Sequence, residues 1–277
     1  MMDDNSGQPS AKEVFDTTPY TILVVDDNPD MTDFLKRTFE GYFKRIIIAG
    51  DGVEALQLVR SHVPDIIVSD VMMPRMNGYK LCKTIKEDIN ISHIPVILLT
   101  ARDDRQSQIS GYKNGADGYL SKPFEVEMLM ELIRNRLKNR EYTKKRYLNA
   151  GLIPTPEEST ISLTDETFLI KLNSIIQENI ENSNLGIQFI CQEVGLGRSS
   201  LYNKLKALTG MGANEYISKL RIEKAITLIS GTDMPFSEIA EKTGFTTPSY
   251  FSTAFKQYTG ETPSQYKERK KKGLAGK

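Results

Sequence analysis

Residues 66–82 read IIVSDVMMPRMNGYKLC. The apolar run Asp65–Ser69 is short and β-branched, and Pro74 and Gly78 follow it. That order predicts a buried strand, a turn and then a helix near 79–86, with Asp70 at the point where the strand gives way. Four more runs of the same kind flank it: Thr21–Val25, Arg45–Ala49, Pro95–Leu99 and Gly118–Ser121. Helical periodicity occupies 30–40, where Met31, Phe34, Leu35 and Phe39 share a side, and recurs at 52–60, 79–86, 105–113 and 125–138. Strands alternating with helices over about 120 residues predict a doubly wound α/β domain with a five-stranded parallel sheet, whose ligands bind at the carboxyl ends of the strands.

Those strand ends carry the chemistry. The first strand ends in Asp26 and Asp27, the third in Asp70 and the fourth in Thr100; the fifth is followed by Lys122 and Pro123. Taken singly, the aspartates could cap a helix or make a turn, and Lys122 could be a surface lysine. Together, three carboxylates at one rim need a counter-charge, and Mg²⁺ is a hard cation that provides one. A lysine and a hydroxyl add donors for phosphate oxygens, and a carboxylate can attack phosphorus in line.

The stretches ILVVDDNPD (22–30), IIVSDVMMPRMNGYKLC (66–82), VILLTAR (96–102) and GADGYLSKPF (115–124) make residues 20–138 resemble a response-regulator receiver domain. The resemblance implies that Asp70 accepts phosphate from the histidine of a sensor kinase. It implies Mg²⁺ bound through Asp26, Asp27, Asp70 and the backbone carbonyl of Met72, and Lys122 paired with the phosphate. It also implies a moving Thr100, an aromatic switch at Tyr119 and a cis peptide before Pro123. Phosphorylation would then shift a population of receiver conformers and change dimerisation or docking. A metal-dependent aspartyl phosphatase with a helical interaction module is the alternative. It would need a proton-transferring acid two residues after Asp70, where Met72 stands.

The remainder of the chain has a different texture. Residues 1–19 are polar and acidic and read as a flexible lead-in, and 139–165, with Gly151, Pro154 and Pro156, read as a linker. From 166 to 277 the pattern is helical throughout, an all-α domain with a weak internal repeat. GLGRSSLYNKLKALTG (195–210) aligns with GFTTPSYFSTAFKQYTG (244–260); Leu201, Leu205 and Gly210 match Phe251, Phe255 and Gly260 at an offset of 50, and Gly195 matches Gly244 at 49. Each copy follows a short amphipathic helix, so two helix-turn-helix units are expected at about 187–209 and 237–259. Residues 167–268 resemble the AraC/XylS-type DNA-binding domain, most specifically in IAEKTGFTTPSYFSTAFKQYTGETPSQYK (239–267).

In such units the second helix enters the major groove. With Leu201, Leu205, Phe251 and Phe255 facing the core, the outward residues are Arg198, Ser199, Tyr202, Asn203 and Lys206 in the first unit. In the second they are Thr247, Pro248, Ser249, Thr253 and Lys256. Arg198 and Asn203 suit base edges, and Lys206 and Lys256 suit phosphates. The charge distribution agrees. The whole chain balances 36 basic against 36 acidic residues, yet residues 184–277 carry 14 basic against 8 acidic.

No apolar run approaches the roughly 18 residues of a membrane span, and residues 1–19 lack the basic and apolar regions of a secretory signal. Two cysteines far apart make no disulfide framework, so a reducing cytoplasm is expected. His62 and His93 read as plain surface or loop histidines with no zinc spacing. The chain is thus expected to be a transcription regulator, not an enzyme, controlled by a sensor histidine kinase. It would either stand free or form the end of a hybrid protein that carries its own kinase. A helical half that binds protein in place of DNA is a third possibility.

Overall fold

A computed structural model describes residues 14–101, 115–150 and 162–274. The helix expected at 105–113, and the Gly151–Pro156 stretch of the expected linker, lie outside the described residues. The chain divides into two units, Met1–Cys82 with Pro95–Lys138 and Lys83–Ile94 with Asn139–Lys277.

The first unit is built on five parallel strands: β1 (Thr21–Val25), β2 (Arg45–Ala49), β3 (Ile66–Asp70), β4 (Val96–Ala101) and β5 (Gly118–Lys122). They are ordered β2-β1-β3-β4-β5. The sheet is parallel because its connections carry helices: α1 (Pro29–Phe39), α2 (Gly52–His62) and α3 (Gly78–Glu87), with α4 (Val126–Ala150) following β5. Local chemistry starts these helices. Asn28 caps α1 by accepting from the Asp30 N–H ahead of Pro29, and Asp51 caps α2 by accepting from Val53 and Glu54. Ile22, Val24, Ile66, Val68, Ile97 and Leu99 pack against Leu35, Phe39, Leu129 and Ile133 on one face. Phe34, expected on the buried side of α1, is 48 % exposed; Thr32 is buried instead.

The register decides the site. Val25 pairs with Ser69, Asp70 with Leu99, and Ala101 with Lys122. The carboxyl ends of four strands therefore stand level, and the residues that end them share one rim.

Helix α4 runs twelve residues past Lys138, to Ala150, through the first part of the expected linker. No glycine or proline occurs between Val126 and Ala150, and Lys, Arg, Glu, Leu and Asn continue the helix until Gly151.

The second unit holds α5 (Leu163–Glu178), α6 (Ile187–Val194), α7 (Arg198–Thr209), α8 (Ala213–Gly231), α9 (Phe236–Lys242), α10 (Pro248–Thr259) and α11 (Pro263–Leu274). No strand occurs in it among the described residues. The internal repeat is a structural one. Helices α7 and α10 are each twelve residues long and follow short helices across a turn that opens on a left-handed glycine, Gly195 (φ 73°) or Gly244 (φ 71°). Each ends on another, Gly210 (φ 76°) or Gly260 (φ 83°). The extra residue of the second copy lies in the turn, since α7 begins three residues after Gly195 and α10 four after Gly244. At Gly244 space as well as φ matters, because a Cβ there would stand 2.2 Å from the Ile180 carbonyl oxygen.

Two apolar cores serve the two helix pairs. Phe168, Leu172, Ile176, Leu201, Leu205 and Tyr216 belong to one; Ile222, Ala225, Ile239, Phe251, Phe255 and Tyr266 belong to the other. Helix α8 contributes to both, as its apolar positions require. Phe251 and Phe255 are fully buried with ring centroids 5.7 Å apart, a contact whose loss on truncation to alanine costs about 3–5 kcal/mol.

The least expected feature of this unit is polar. Lys204, on α7, is wholly buried beside Asp165 of α5, and its ammonium pairs with the Asp165 carboxylate. Lys204 also donates to Ser92 Oγ at 2.8 Å, and Ser92 donates to Asp165 Oδ1 at 2.7 Å. Ser162, the cap of α5, donates to the other Asp165 oxygen at 2.8 Å. Each partner is satisfied, which a buried charge requires. His93, expected as a surface or loop histidine, stands in a turn but is 8 % exposed, and among the described residues its buried Nδ1 has no hydrogen-bond partner.

Candidate functional site

The rim of the first unit gathers the residues singled out in the sequence. Asp26 follows β1 and is buried, its Oδ1 accepting the Asn28 N–H at 2.9 Å. Asp27 beside it is exposed. Asp70 is the last residue of β3 and 8 % exposed, and its Oδ2 accepts the Met72 N–H at 2.6 Å. Lys122, the last residue of β5, reaches across the rim: its Nζ lies 2.5 Å from Asp70 Oδ1 and 2.9 Å from Asp26 Oδ2. Burial pulls the Lys122 ammonium down, but its hydrogen bonds to Asp70 and Asp26 outweigh that and hold its pKa above the ordinary lysine value.

Thr100 is buried in β4 with its hydroxyl donating to the Ala101 carbonyl at 2.9 Å, and Tyr119 is half-buried on β5. The peptide between Lys122 and Pro123 is cis. Gly78 lets the chain return close to the acceptor, because a Cβ there would stand 2.2 Å from the Asp70 carbonyl oxygen.

Mg²⁺ is the cation these residues would suit. Among the described residues, no three acids, histidines or cysteines already converge on one point. Mg²⁺ does not ask for that: one or two carboxylates, with waters and phosphate oxygens, satisfy its octahedron. The donors here are hard oxygens, the carboxylates of Asp26, Asp27 and Asp70 and the carbonyl of Met72. The group fits.

In the second unit every outward residue expected on α7 and α10 is at least partly accessible. Arg198, Ser199, Tyr202 and Lys206 are exposed and Asn203 is half-buried; Thr247, Pro248, Ser249, Thr253 and Lys256 are exposed. Two hydroxyls already have local duties. Thr247 caps α10 by accepting the Tyr250 N–H at 3.2 Å, and Thr253 donates to the Ser249 carbonyl at 3.1 Å. Gly197, at the cap of α7, provides no side-chain hydrogen bond. Tyr250, on the first turn of α10, is 57 % exposed and stands 5.8 Å from the Phe245 ring, and periodicity does not single it out. Neither the Arg75–Asp51 ion pair nor the Lys204 network is legible in the sequence, because no spacing rule joins such distant residues.

Comparison with known proteins places both parts of the chain in families. The response regulator receiver domain family matches residues 22–134, and a helix-turn-helix domain family matches residues 190–269. The response regulator MprA of Mycobacterium sp. is 36 % identical over 165 residues, which is 55 % of this chain and 70 % of that protein.

The chain belongs to the response regulators.

This response regulator joins a receiver domain to an AraC-type helix-turn-helix domain, the composition of a two-component regulator of transcription. It is 41 % identical over 249 residues to Histidine kinase P4 of Formosa agariphila, covering 90 % of this chain but 18 % of that protein. It is 36 % identical over 136 residues to the DNA-binding response regulator MtrA of Mycolicibacterium smegmatis, covering 49 % of this chain and 58 % of that protein. Among the described residues no helix is long and apolar enough to cross a membrane.

Proposed function

We propose that this response regulator accepts a phosphoryl group on Asp70 and that phosphorylation controls sequence-specific DNA binding by α7 and α10. The observation that carries the proposal is the Lys122 ammonium, 2.5 Å from Asp70 and 2.9 Å from Asp26 at the carboxyl rim of the sheet. Asp70 Oδ attacks phosphorus, the bond from phosphorus to the donor's imidazole nitrogen breaks with its electron pair leaving on nitrogen, and an acyl phosphate results. Asp26, Asp27, Asp70 and the Met72 carbonyl would hold Mg²⁺, which when bound would supply positive charge to offset that of the transferring group. Lys122 pairs with a phosphate oxygen, Thr100 turns its hydroxyl from the Ala101 carbonyl toward another, and Tyr119 follows it inward.

The reading favours storage of phosphate over turnover. A phosphatase using Asp70 would need an acid at position 72, and Met72 has a thioether, 71 % exposed, with no proton to give. The likeness to Histidine kinase P4 supports a histidine kinase as the phosphoryl source. The expected domain limits, 20–138 for the receiver and 166–277 for the DNA-binding domain, belong to the same proposal, as do dimerisation on phosphorylation and a cytoplasmic setting.

In the second unit Arg198 and Asn203 would read base edges, while Lys206 and Lys256 hold phosphates. Ser199, Tyr202, Thr247, Pro248, Ser249 and Thr253 complete the two faces. The test is Asp70→Asn, which should abolish labelling by a small phosphodonor with Mg²⁺. Labelling at the wild-type level would overturn the assignment.

A further inference from the structure

The loop from Val71 to Asn77, between Asp70 and α3, is pinned at both ends. At the near end the Gly78 N–H donates to the Val71 carbonyl at 3.0 Å. At the far end the Gly52 N–H donates to the Met76 carbonyl at 3.2 Å, and a Cβ on Gly52 would stand 2.6 Å from that same oxygen. Between these points Arg75 has φ 60°, the left-handed region that L side chains rarely adopt, at a cost of about 1–2 kcal/mol. Strain of this kind persists only where surroundings over-determine it, and it gathers beside reacting groups.

Arg75 is the middle residue of a tight turn closed by the Met76 N–H, which donates to the Pro74 carbonyl at 2.6 Å, and its side chain is tied to Asp51. The Arg75 guanidinium pairs with Asp51 Oδ2, and the Asp51 side chain is 4 % exposed. Its Oδ1 is anchored as the cap of α2, accepting from Val53 at 2.7 Å and Glu54 at 3.1 Å. The carboxylate is thus a fixed point, and the arginine ties the loop to it. Met72 sits inside the tied segment, and its N–H donates to Asp70 Oδ2 at 2.6 Å; its carbonyl is the one that would help to hold the cation.

We propose that Arg75, acting through Asp51, is a positioning residue for the Asp70 pocket. It fixes the Met72 backbone and so sets the affinity for Mg²⁺ and the rate of phosphoryl acceptance. The inference rests on the reading that this pocket takes both.

The test uses the full chain with Arg75→Gly and Arg75→Lys. Glycine adopts φ 60° without strain and deletes the ion pair, so the fold is kept while the tie is cut; lysine keeps the charge without the planar fork. Mg²⁺ binding is measured by calorimetry without a phosphodonor, labelling by a small acyl phosphate separately, and thermal midpoints without metal. The expected result is about a tenfold weaker Mg²⁺ affinity for Arg75→Gly, the usual effect of removing an outer support. Labelling should slow in parallel, Arg75→Lys should fall between, and the metal-free midpoint should be unchanged. Unchanged Mg²⁺ affinity in Arg75→Gly overturns the inference, as does a loss matched by a fall in the metal-free midpoint. Failure of the wild type to bind Mg²⁺ or accept label overturns the parent reading instead.

Discussion

The Lys122 ammonium stands 2.5 Å from Asp70 Oδ1, and a second carboxylate, Asp26, lies on its other side at 2.9 Å. One cation thus joins the ends of three strands of a parallel sheet. A hydrogen bond to a charged group is worth about 1.5–3 kcal/mol. Lys122→Met should therefore slow labelling of Asp70 by about tenfold to a hundredfold, read with a radiolabelled acyl phosphate. Because the Lys122 pKa is raised, its contribution is fully present below the ordinary lysine value and is lost only as pH climbs through the raised one. Its pairing should leave no step in the labelling rate between pH 6 and 9; a step that disappears in Lys122→Met would contradict the pairing.

Burial pushes the His93 imidazole well below its ordinary pKa, and the positive charges of Arg140, Lys204, Lys86 and Lys144 add to the effect. Below about pH 6.5 the unfolded chain therefore takes up a proton that the folded chain refuses. Stability is complete above that pH and falls beneath it by up to about 1.4 kcal/mol per pH unit, until the folded value is reached. Urea midpoints between pH 7.5 and 5.5 should fall in the wild type and fall less in His93→Leu. Equal slopes would refute the burial of this ring.

The Lys204–Asp165 pair makes a sharper demand. Removing one partner from a buried ion pair costs about 3–5 kcal/mol, because the other charge is left without compensation. Lys204→Met should lose that much in urea unfolding, whereas Lys204→Met combined with Asp165→Asn should recover a large part of it. Additive losses in the double variant would show that the two groups are not coupled.

On DNA the two helix-turn-helix units should protect major-groove segments roughly 10 bp apart. Arg198→Ala should cost about 1–3 kcal/mol and relax specificity at one position, while Lys206→Ala or Lys256→Ala should weaken binding to all sequences alike and lower the salt slope by about one. Site selection followed by salt titration reads both. Specificity changed by Lys206→Ala, with an unchanged slope, would reverse the roles.

The strands β1 and β2 were legible to the residue, because their apolar runs are strong and turn residues bound them. The rim residues were legible for a topological reason: in a parallel sheet each strand delivers its last residue to the same edge. The extent of α4 was not, because helix-forming residues continue past the apolar face that announced it. Exposure of Phe34 and burial of His93 were missed for a common reason, since periodicity ranks positions along one element without knowing what covers it.

By itself, then, the sequence determined the order of strands and helices, the acidic rim with its lysine, and the doubled helix-turn-helix, all of which rest on local periodicity and motif spacing. Only the tertiary structure decided which charges meet. Lys204 reads as one more polar residue on an amphipathic helix, yet it is buried against Asp165 and Ser92, 39 and 112 residues away in sequence. Arg75 reads as a turn residue, yet it answers to Asp51, 24 residues earlier. Coulomb attraction and desolvation act through space, and a one-dimensional pattern does not carry the distances on which they depend.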